Sequence, residues 1–180
     1  FTKRGWWAQP GGAKENKKYE QQVKSVFEFF KKAKAYSAIP REDHDQVDLR
    51  YEAMRGVFNG HQNLYTHAST VPQMNGVIQL CNEFSIPNRV IIGGREAYLI
   101  TERLKENDFS LMIGRTHTLP SSTDSDIDEA YKLPALLYKK EIPFCFQNAG
   151  SMSAMNTRNL PFNAGSAIAY GLPEEEAVKA

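Results

Sequence analysis

Four short apolar runs follow one another after residue 60, and each is succeeded by a stretch with the apolar spacing of a helix. The runs are residues 63–66, 89–92, 110–113 and 143–146. The helical stretches are residues 71–84, 95–105, 133–140 and a fourth that starts at Pro161. Short runs that alternate with helices predict parallel strands joined by right-handed crossovers, with helices covering the sheet. We therefore predict an α/β fold built from four βα units.

The beginning of the chain has a different pattern, which predicts helices without strands. Residues 14–36 carry apolar side chains at helical spacing, and Pro40 ends that segment. Asp45 is in position to cap a second helix, which Gly60 ends. We therefore predict a helical N-terminal segment at residues 1–60 and a βα region at residues 61–180.

Two architectures satisfy the βα pattern, and periodicity does not separate them. One is an open doubly wound sheet, and the other is part of a closed barrel. In both, ligands bind beyond the carboxyl ends of the strands. The residues directly after each apolar run are therefore the candidates for function.

Net charge and the length of the apolar runs argue against nucleic acid and membranes as partners. Lys and Arg total 22 against 21 for Asp and Glu, so the formal net charge of +1 provides no field that attracts nucleic acid or an anionic membrane. The apolar runs are far shorter than the ~20 residues that cross a bilayer. Cys81 and Cys145 show no CxxC spacing, which favours buried thiols in a reducing compartment. We expect a cytoplasmic protein with a small-molecule substrate.

Two histidines directly follow predicted strands. His67 comes after the first apolar run and His117 after the third, where a neutral imidazole can bind a divalent metal. The alternative for His67 is a structural role at the start of the next helix. For His117 the alternative is a place in a solvated loop, since residues 121–128 are rich in hydroxyl and acidic side chains. That loop lacks the glycine and terminal glutamate of a calcium site, which we exclude.

Arginines and glycines mark two further strand ends. Gly93 and Gly94 form a turn before Arg95, where exposed backbone N–H groups can bind an anion, but the absence of a phosphate-binding motif argues against a phosphate site. Arg158 lies just before Pro161, which suits the first turn of a helix. These positions lie on the functional side of the predicted sheet.

Several segments together carry a resemblance to a known family. They are residues 64–68, 90–98, 115–120, 131–137, 158–165 and 169–177. In these segments the chain resembles the second half of amidohydrolase-superfamily proteins, in particular the imidazolonepropionase-like branch. The resemblance implies the C-terminal half of a TIM-type (β/α)8 barrel. The chain starts at Phe1 without an initiator Met, and the helical pattern after Pro173 stops at Ala180 after about two turns, so we also expect a chain cut at both ends.

The resemblance implies a metal-dependent hydrolase of C–N bonds. A zinc or similar ion would polarise an amide or cyclic amide carbonyl and lower the pKa of its bound water. His67 matches the family's fifth-strand metal ligand, and His117 is the remaining candidate ligand, from the seventh strand. The first-strand pair of histidines would lie before Phe1. Arg95, Arg158 and Asn148 are the residues that we expect to contact substrate.

The chain departs from the family pattern at two strand ends. The sixth-strand histidine position falls at Gly93 or Gly94, and the eighth-strand aspartate position falls near Gln147 and Asn148. An amide is not basic enough to replace a carboxylate as general base. The alternative is therefore a non-catalytic relative that keeps a binding pocket. Because half a barrel leaves strand edges exposed, we also expect the chain to form a homo-oligomer.

Overall fold

The computed structural model describes residues 18–43, 46–120, 124–148 and 154–180. The chain divides into two compact units, residues 1–55 and 56–180. The division lies close to the predicted boundary after residue 60. None of the helices in the described ranges is both long enough and apolar enough to cross a membrane.

The described part of the first unit is helical. Helix α1 spans Tyr19–Ser37, and helix α2 spans Leu49–Phe58 and continues past the end of the unit. Asp48 occupies the position before α2, and its Oδ1 accepts the backbone N–H of Arg50 at 3.0 Å. The predicted cap, Asp45, lies outside the described residues.

The second unit holds four strands and the helices that connect them. The strands are β1 (Leu64–Ala68), β2 (Arg89–Gly93), β3 (Phe109–Ile113) and β4 (Phe144–Phe146). The helices are α3 (Val71–Glu83), α4 (Thr101–Glu106), α5 (Glu129–Lys139), α6 (Leu160–Ala169) and α7 (Glu174–Lys179). The predicted α/β fold with four βα units is confirmed.

The strands pair in parallel and in sequence order, β1-β2-β3-β4. Since βα crossovers are right-handed in nearly all proteins, sequential order places the connecting helices on a single face of the sheet. A doubly wound sheet instead reverses its strand order and has helices on both faces. The order observed shows no reversal and is consistent with part of a barrel, one of the two architectures that the sequence left open.

The two faces of the sheet differ in burial. Residues paired across the sheet lie on the same face, and Ile91 and Leu111 are such a pair, 0% and 1% exposed. The next residues along the strands, Ile92 and Met112, lie on the opposite face and are only partly buried. On that face, Tyr65 of β1 is 52% exposed. The helix-covered face is therefore the hydrophobic core, as in the outer layer of a barrel.

The helix predicted at residues 95–105 is interrupted in the structure. A short 3₁₀ helix, Ala97–Leu99, precedes α4, and Ile100 between them has φ −133°, outside the helical range. The segment starts irregularly because Gly94 has φ +58°. Apolar spacing does not reveal such a break, since Ala97 and Leu104 are both fully buried on the same side.

The two cysteines differ in burial. Cys81 on α3 is 1% exposed, and burial raises the pKa of its thiol to about 11. Cys145 on β4 is half-buried, and partial burial raises the pKa of its thiol as well. The thiolate is the form that attacks disulfide reagents, so the raised pKa slows the reaction of both thiols, and Cys81 is in addition shielded from solvent.

We expect Ellman's reagent at about pH 8 to modify Cys145 in the folded protein and to leave Cys81 intact until unfolding. The release of thionitrobenzoate would show a single measurable phase, which Cys145→Ser removes and Cys81→Ser leaves unchanged. A phase that disappears in Cys81→Ser would contradict the burial of that thiol.

Candidate functional site

A cleft of about 270 Å³ lies where the carboxyl ends of the four strands meet. Every strand end contributes to it: Ser69 follows β1, Arg95 follows β2, Arg115 follows β3 and Asn148 follows β4. Parallel strands bring their carboxyl ends to one edge of a sheet, so residues up to about eighty positions apart meet there. This is the position at which barrel proteins bind their ligands.

Gly93 lines the cleft at the end of β2, and Gly94 follows it in the turn that leads to Arg95. Both residues have positive φ, +113° and +58°. A Cβ on Gly93 would stand 2.6 Å from Ser69 Oγ and 3.0 Å from Ala68 O, and one on Gly94 would stand 2.6 Å from the buried side chain of Leu111. Neither position therefore admits a side chain without strain. A histidine at either position would therefore strain the backbone or displace Ser69, Ala68 or Leu111.

Backbone N–H groups of this turn already have partners. Gly94 donates to Ala68 O at 2.8 Å, and Glu96 donates to Ser69 O at 2.9 Å. The Glu96 carboxylate accepts the N–H of Val71 at 2.8 Å, at the first turn of α3. The N–H groups of Gly94 and Glu96 are therefore not free to bind an anion, because their hydrogen bonds tie the turn after β2 to the end of β1.

Two arginines supply the charge of the cleft. Arg95 is exposed, and its Nη2 donates to the carbonyl of Leu119 in the loop that follows β3. Arg115 is exposed and lies two residues beyond β3. No carboxylate lies among the described residues that line the cleft, and no described acid forms an ion pair with either arginine. The cleft is therefore positively charged although the chain is nearly neutral.

Two amide side chains follow β4. The backbone N–H of Gln147 donates to Ile113 O at 2.9 Å, which continues the pairing of β3 and β4 by one residue. The side-chain Nδ2 of Asn148 is buried and has no hydrogen-bond partner within the described ranges. Burying an amide donor without an acceptor costs roughly 1–3 kcal/mol, so an acceptor that reached this atom would gain that free energy.

His117 is held by helix α6. Its Nδ1 lies 3.2 Å from Asn163 Oδ1, and its Nε2 lies 2.8 Å from Ser166 Oγ. Asn163 is 3% exposed, and the same Oδ1 accepts the N–H and hydroxyl of Thr116 at 3.3 and 3.1 Å. Because a carbonyl oxygen only accepts, Nδ1 of His117 carries its proton in this arrangement. Both ring nitrogens are engaged, so metal ligation by His117 stays a prediction that requires these bonds to break.

His67 lies on β1 and faces away from the helices. It pairs in register with Ile92, and its side chain is exposed on the less buried face of the sheet. Within the described stretches, no three histidine, cysteine, aspartate or glutamate side chains lie close enough together to hold a metal. The structure therefore does not join His67 and His117 in a metal site of their own.

Of the predicted substrate contacts, Arg95 and Asn148 line the cleft. Arg158 lies on the 3₁₀ helix Ala154–Asn159, is exposed, and does not line it. Sequence reasoning did not select Arg115, although its place two residues after an apolar run is the signal used for His117. Asn163 was also missed, and its partners lie more than forty residues away along the chain.

Comparison with known proteins shows the fold. No protein-family model and no curated protein matches this sequence. A solved amidohydrolase from Thermotoga maritima is similar in structure, with a TM-score of 0.72 and 21% sequence identity. The similarity covers 92% of this chain and 47% of that chain, so this chain spans about half the length of its structural neighbour. The chain thus has an amidohydrolase-like fold.

Proposed function

We propose that the protein is an amidohydrolase-like hydrolase that cleaves an amide or cyclic amide C–N bond of a small molecule. The observation that carries this proposal is the cleft at the carboxyl ends of β1 to β4, in a sheet with the strand order of half a barrel. The likeness to an amidohydrolase in fold supports the reaction class. The polar strand ends supply groups that recognise a substrate.

We propose that the hydrolase uses a divalent metal, zinc. The described residues do not provide a complete set of ligands for it. The described lining of the cleft contains neither imidazole nor carboxylate. His67 is exposed and offers one imidazole, whereas Asn163 and Ser166 hold both nitrogens of His117. We therefore propose that the metal centre is shared with groups beyond the described residues, and that His67 is the ligand contributed by this sheet.

The residues present in the cleft bind and orient a substrate. The Nδ2 group of Asn148 is a buried donor without an acceptor among the described residues, and the arginines are permanent cations. None of these groups accepts a proton at neutral pH. The part of the reaction that we assign to this chain is therefore substrate positioning.

A non-catalytic relative with a ligand-binding pocket is the second candidate. The specific observation in its favour is that the residues at the ends of β2 and β4 include neither a metal ligand nor a general base. Gly93 and Gly94 exclude a side chain for steric reasons, and Gln147 and Asn148 provide amides in place of a carboxylate base. Such a protein would bind its ligand without metal.

Metal analysis separates the two candidates. If the protein is a hydrolase, we expect it to retain zinc or a similar ion after purification without chelator, and His67→Ala to lose most of it. His61→Ala is the matched control, because His61 is exposed and precedes β1, away from the carboxyl ends of the strands. Mass spectrometry of the digested protein measures the metal, and hydrolysis of an amide panel with added zinc or manganese measures the gain in activity. A protein that holds no metal and gains no activity would support the non-catalytic candidate.

A further inference from the structure

We propose that the cleft binds the anionic group of a small organic ligand, a carboxylate or a phosphate, between Arg95 and Arg115. This inference rests on the proposed function only in that the ligand is taken to be the substrate that binds at this cleft. Its new element is that this substrate carries a negative charge. Four observations on the cleft support it, and none of them involves a metal.

The first observation is the imbalance of charge. Arg95 and Arg115 both line the cleft, and the described lining contains no acid and no histidine. Eight ion pairs occur among the described residues, and neither arginine takes part in any of them. Two guanidinium groups without a counterion attract an anion, and their planar forks match the two oxygens of a carboxylate or phosphate.

The second observation is that Arg95 is held in place. Its Nη2 donates to the carbonyl of Leu119, which ties the end of β2 to the loop after β3. A guanidinium carries five N–H donors, so most of them remain for a ligand. Arg95 is thus oriented before the ligand arrives, which reduces the entropy lost on binding.

The third observation is the buried amide donor of Asn148, which follows β4. Asn148 lines the same cleft, and its Nδ2 group is buried and has no acceptor among the described residues. An anion oxygen is a strong acceptor and would remove the cost of this unsatisfied donor. A cationic ligand would leave it unsatisfied and would repel both arginines.

The fourth observation is that two backbone N–H groups of the turn after β2 are already engaged. The N–H groups of Gly94 and Glu96 donate to Ala68 O and Ser69 O. An anion in this cleft gains no hydrogen bond from these two groups, so its recognition depends on the side chains of the lining. Substitution of a single arginine should for this reason weaken the binding of the anion.

Calorimetric titration of the metal-free protein in Bis-Tris chloride buffer tests the proposal. The probes are glutarate, inorganic phosphate and the neutral diamide of glutarate. We expect saturable binding of glutarate or phosphate, and binding about tenfold or more weaker in each of Arg95→Gln and Arg115→Gln. Arg103→Gln is the matched control: Arg103 is exposed on α4, does not line the cleft, and its loss removes the same charge.

The tighter of the two anions identifies the ligand class, carboxylate or phosphate. Equal binding of the neutral diamide, equal binding by the wild type and both cleft variants, or no saturable binding of either anion would overturn the proposal. Thermal unfolding of each variant confirms that the exposed substitutions leave the fold intact. Because the measurement is made without metal, anion binding can succeed where the hydrolase proposal fails, and the reverse also holds.

Discussion

Replacing Gly93 by alanine is expected to lower the free energy of unfolding by about 2–4 kcal/mol. Gly93 has φ +113°, a conformation that residues with a Cβ rarely adopt. The added Cβ would also stand 2.6 Å from Ser69 Oγ and 3.0 Å from the carbonyl oxygen of Ala68. The Ser69 side chain can rotate, but the backbone oxygen of Ala68 belongs to β1 and cannot move without disturbing the sheet. Urea denaturation followed by circular dichroism measures the loss.

Gly76→Ala is the matched control for this prediction. Gly76 lies within α3, and a Cβ there meets nothing within 4 Å. Alanine is favoured over glycine inside a helix by about 0.8–1 kcal/mol, so this substitution should stabilise the protein. If the two substitutions changed stability in the same direction, the structural account of the Gly93 turn would be wrong.

Replacing Asn163 by leucine is expected to cost about 2–4 kcal/mol of unfolding free energy. Asn163 is 3% exposed, and its Oδ1 accepts both the N–H and the hydroxyl of Thr116, which is itself 2% exposed. Leucine has nearly the same size but accepts no hydrogen bond, so two buried donors of Thr116 would lose their partner. His117 would lose its Nδ1 acceptor as well. Denaturant unfolding measures the change.

Asn82→Leu makes the same chemical change at an exposed position. Asn82 donates to Asn107 Oδ1 at 2.6 Å, and water can replace that acceptor. Its substitution should cost less than about 1 kcal/mol. If both substitutions lowered the free energy of unfolding by a similar amount, the buried Thr116–Asn163 hydrogen bonds would contribute no more to stability than the exposed Asn82–Asn107 hydrogen bond.

The strands could be predicted because their signal is local. The apolar runs at residues 89–92 and 110–113 fall within β2 and β3, since a strand buried against helices needs several adjacent apolar residues. The choice between a doubly wound sheet and half a barrel could not be made in this way, because it depends on strand order. Strand order is fixed by pairing between residues about twenty to forty positions apart, such as Ile91 with Leu111.

Residues that line the cleft could be predicted only where their place directly after a strand was sufficient to identify them. Arg95 and Asn148 were predicted on that basis, and both line the cleft. His117 meets the same criterion, yet its ring turns to Asn163 and Ser166 on α6. No local pattern indicates which way such a side chain turns, because the partners are brought to it by the packing of a helix from a later part of the chain.

The glycine turn after β2 also limits the routes open to evolution. A lineage with glycine at residues 93 and 94 cannot gain a metal-binding histidine there by one substitution, because the new side chain would meet Ser69, Ala68 or Leu111 before it met a metal. The backbone of the turn would first have to leave its positive φ values, and the hydrogen bonds from Gly94 and Glu96 to β1 would have to be rebuilt. Descendants of this chain are therefore expected to vary the arginines and amides around the cleft far more readily than to gain a metal ligand at this strand end.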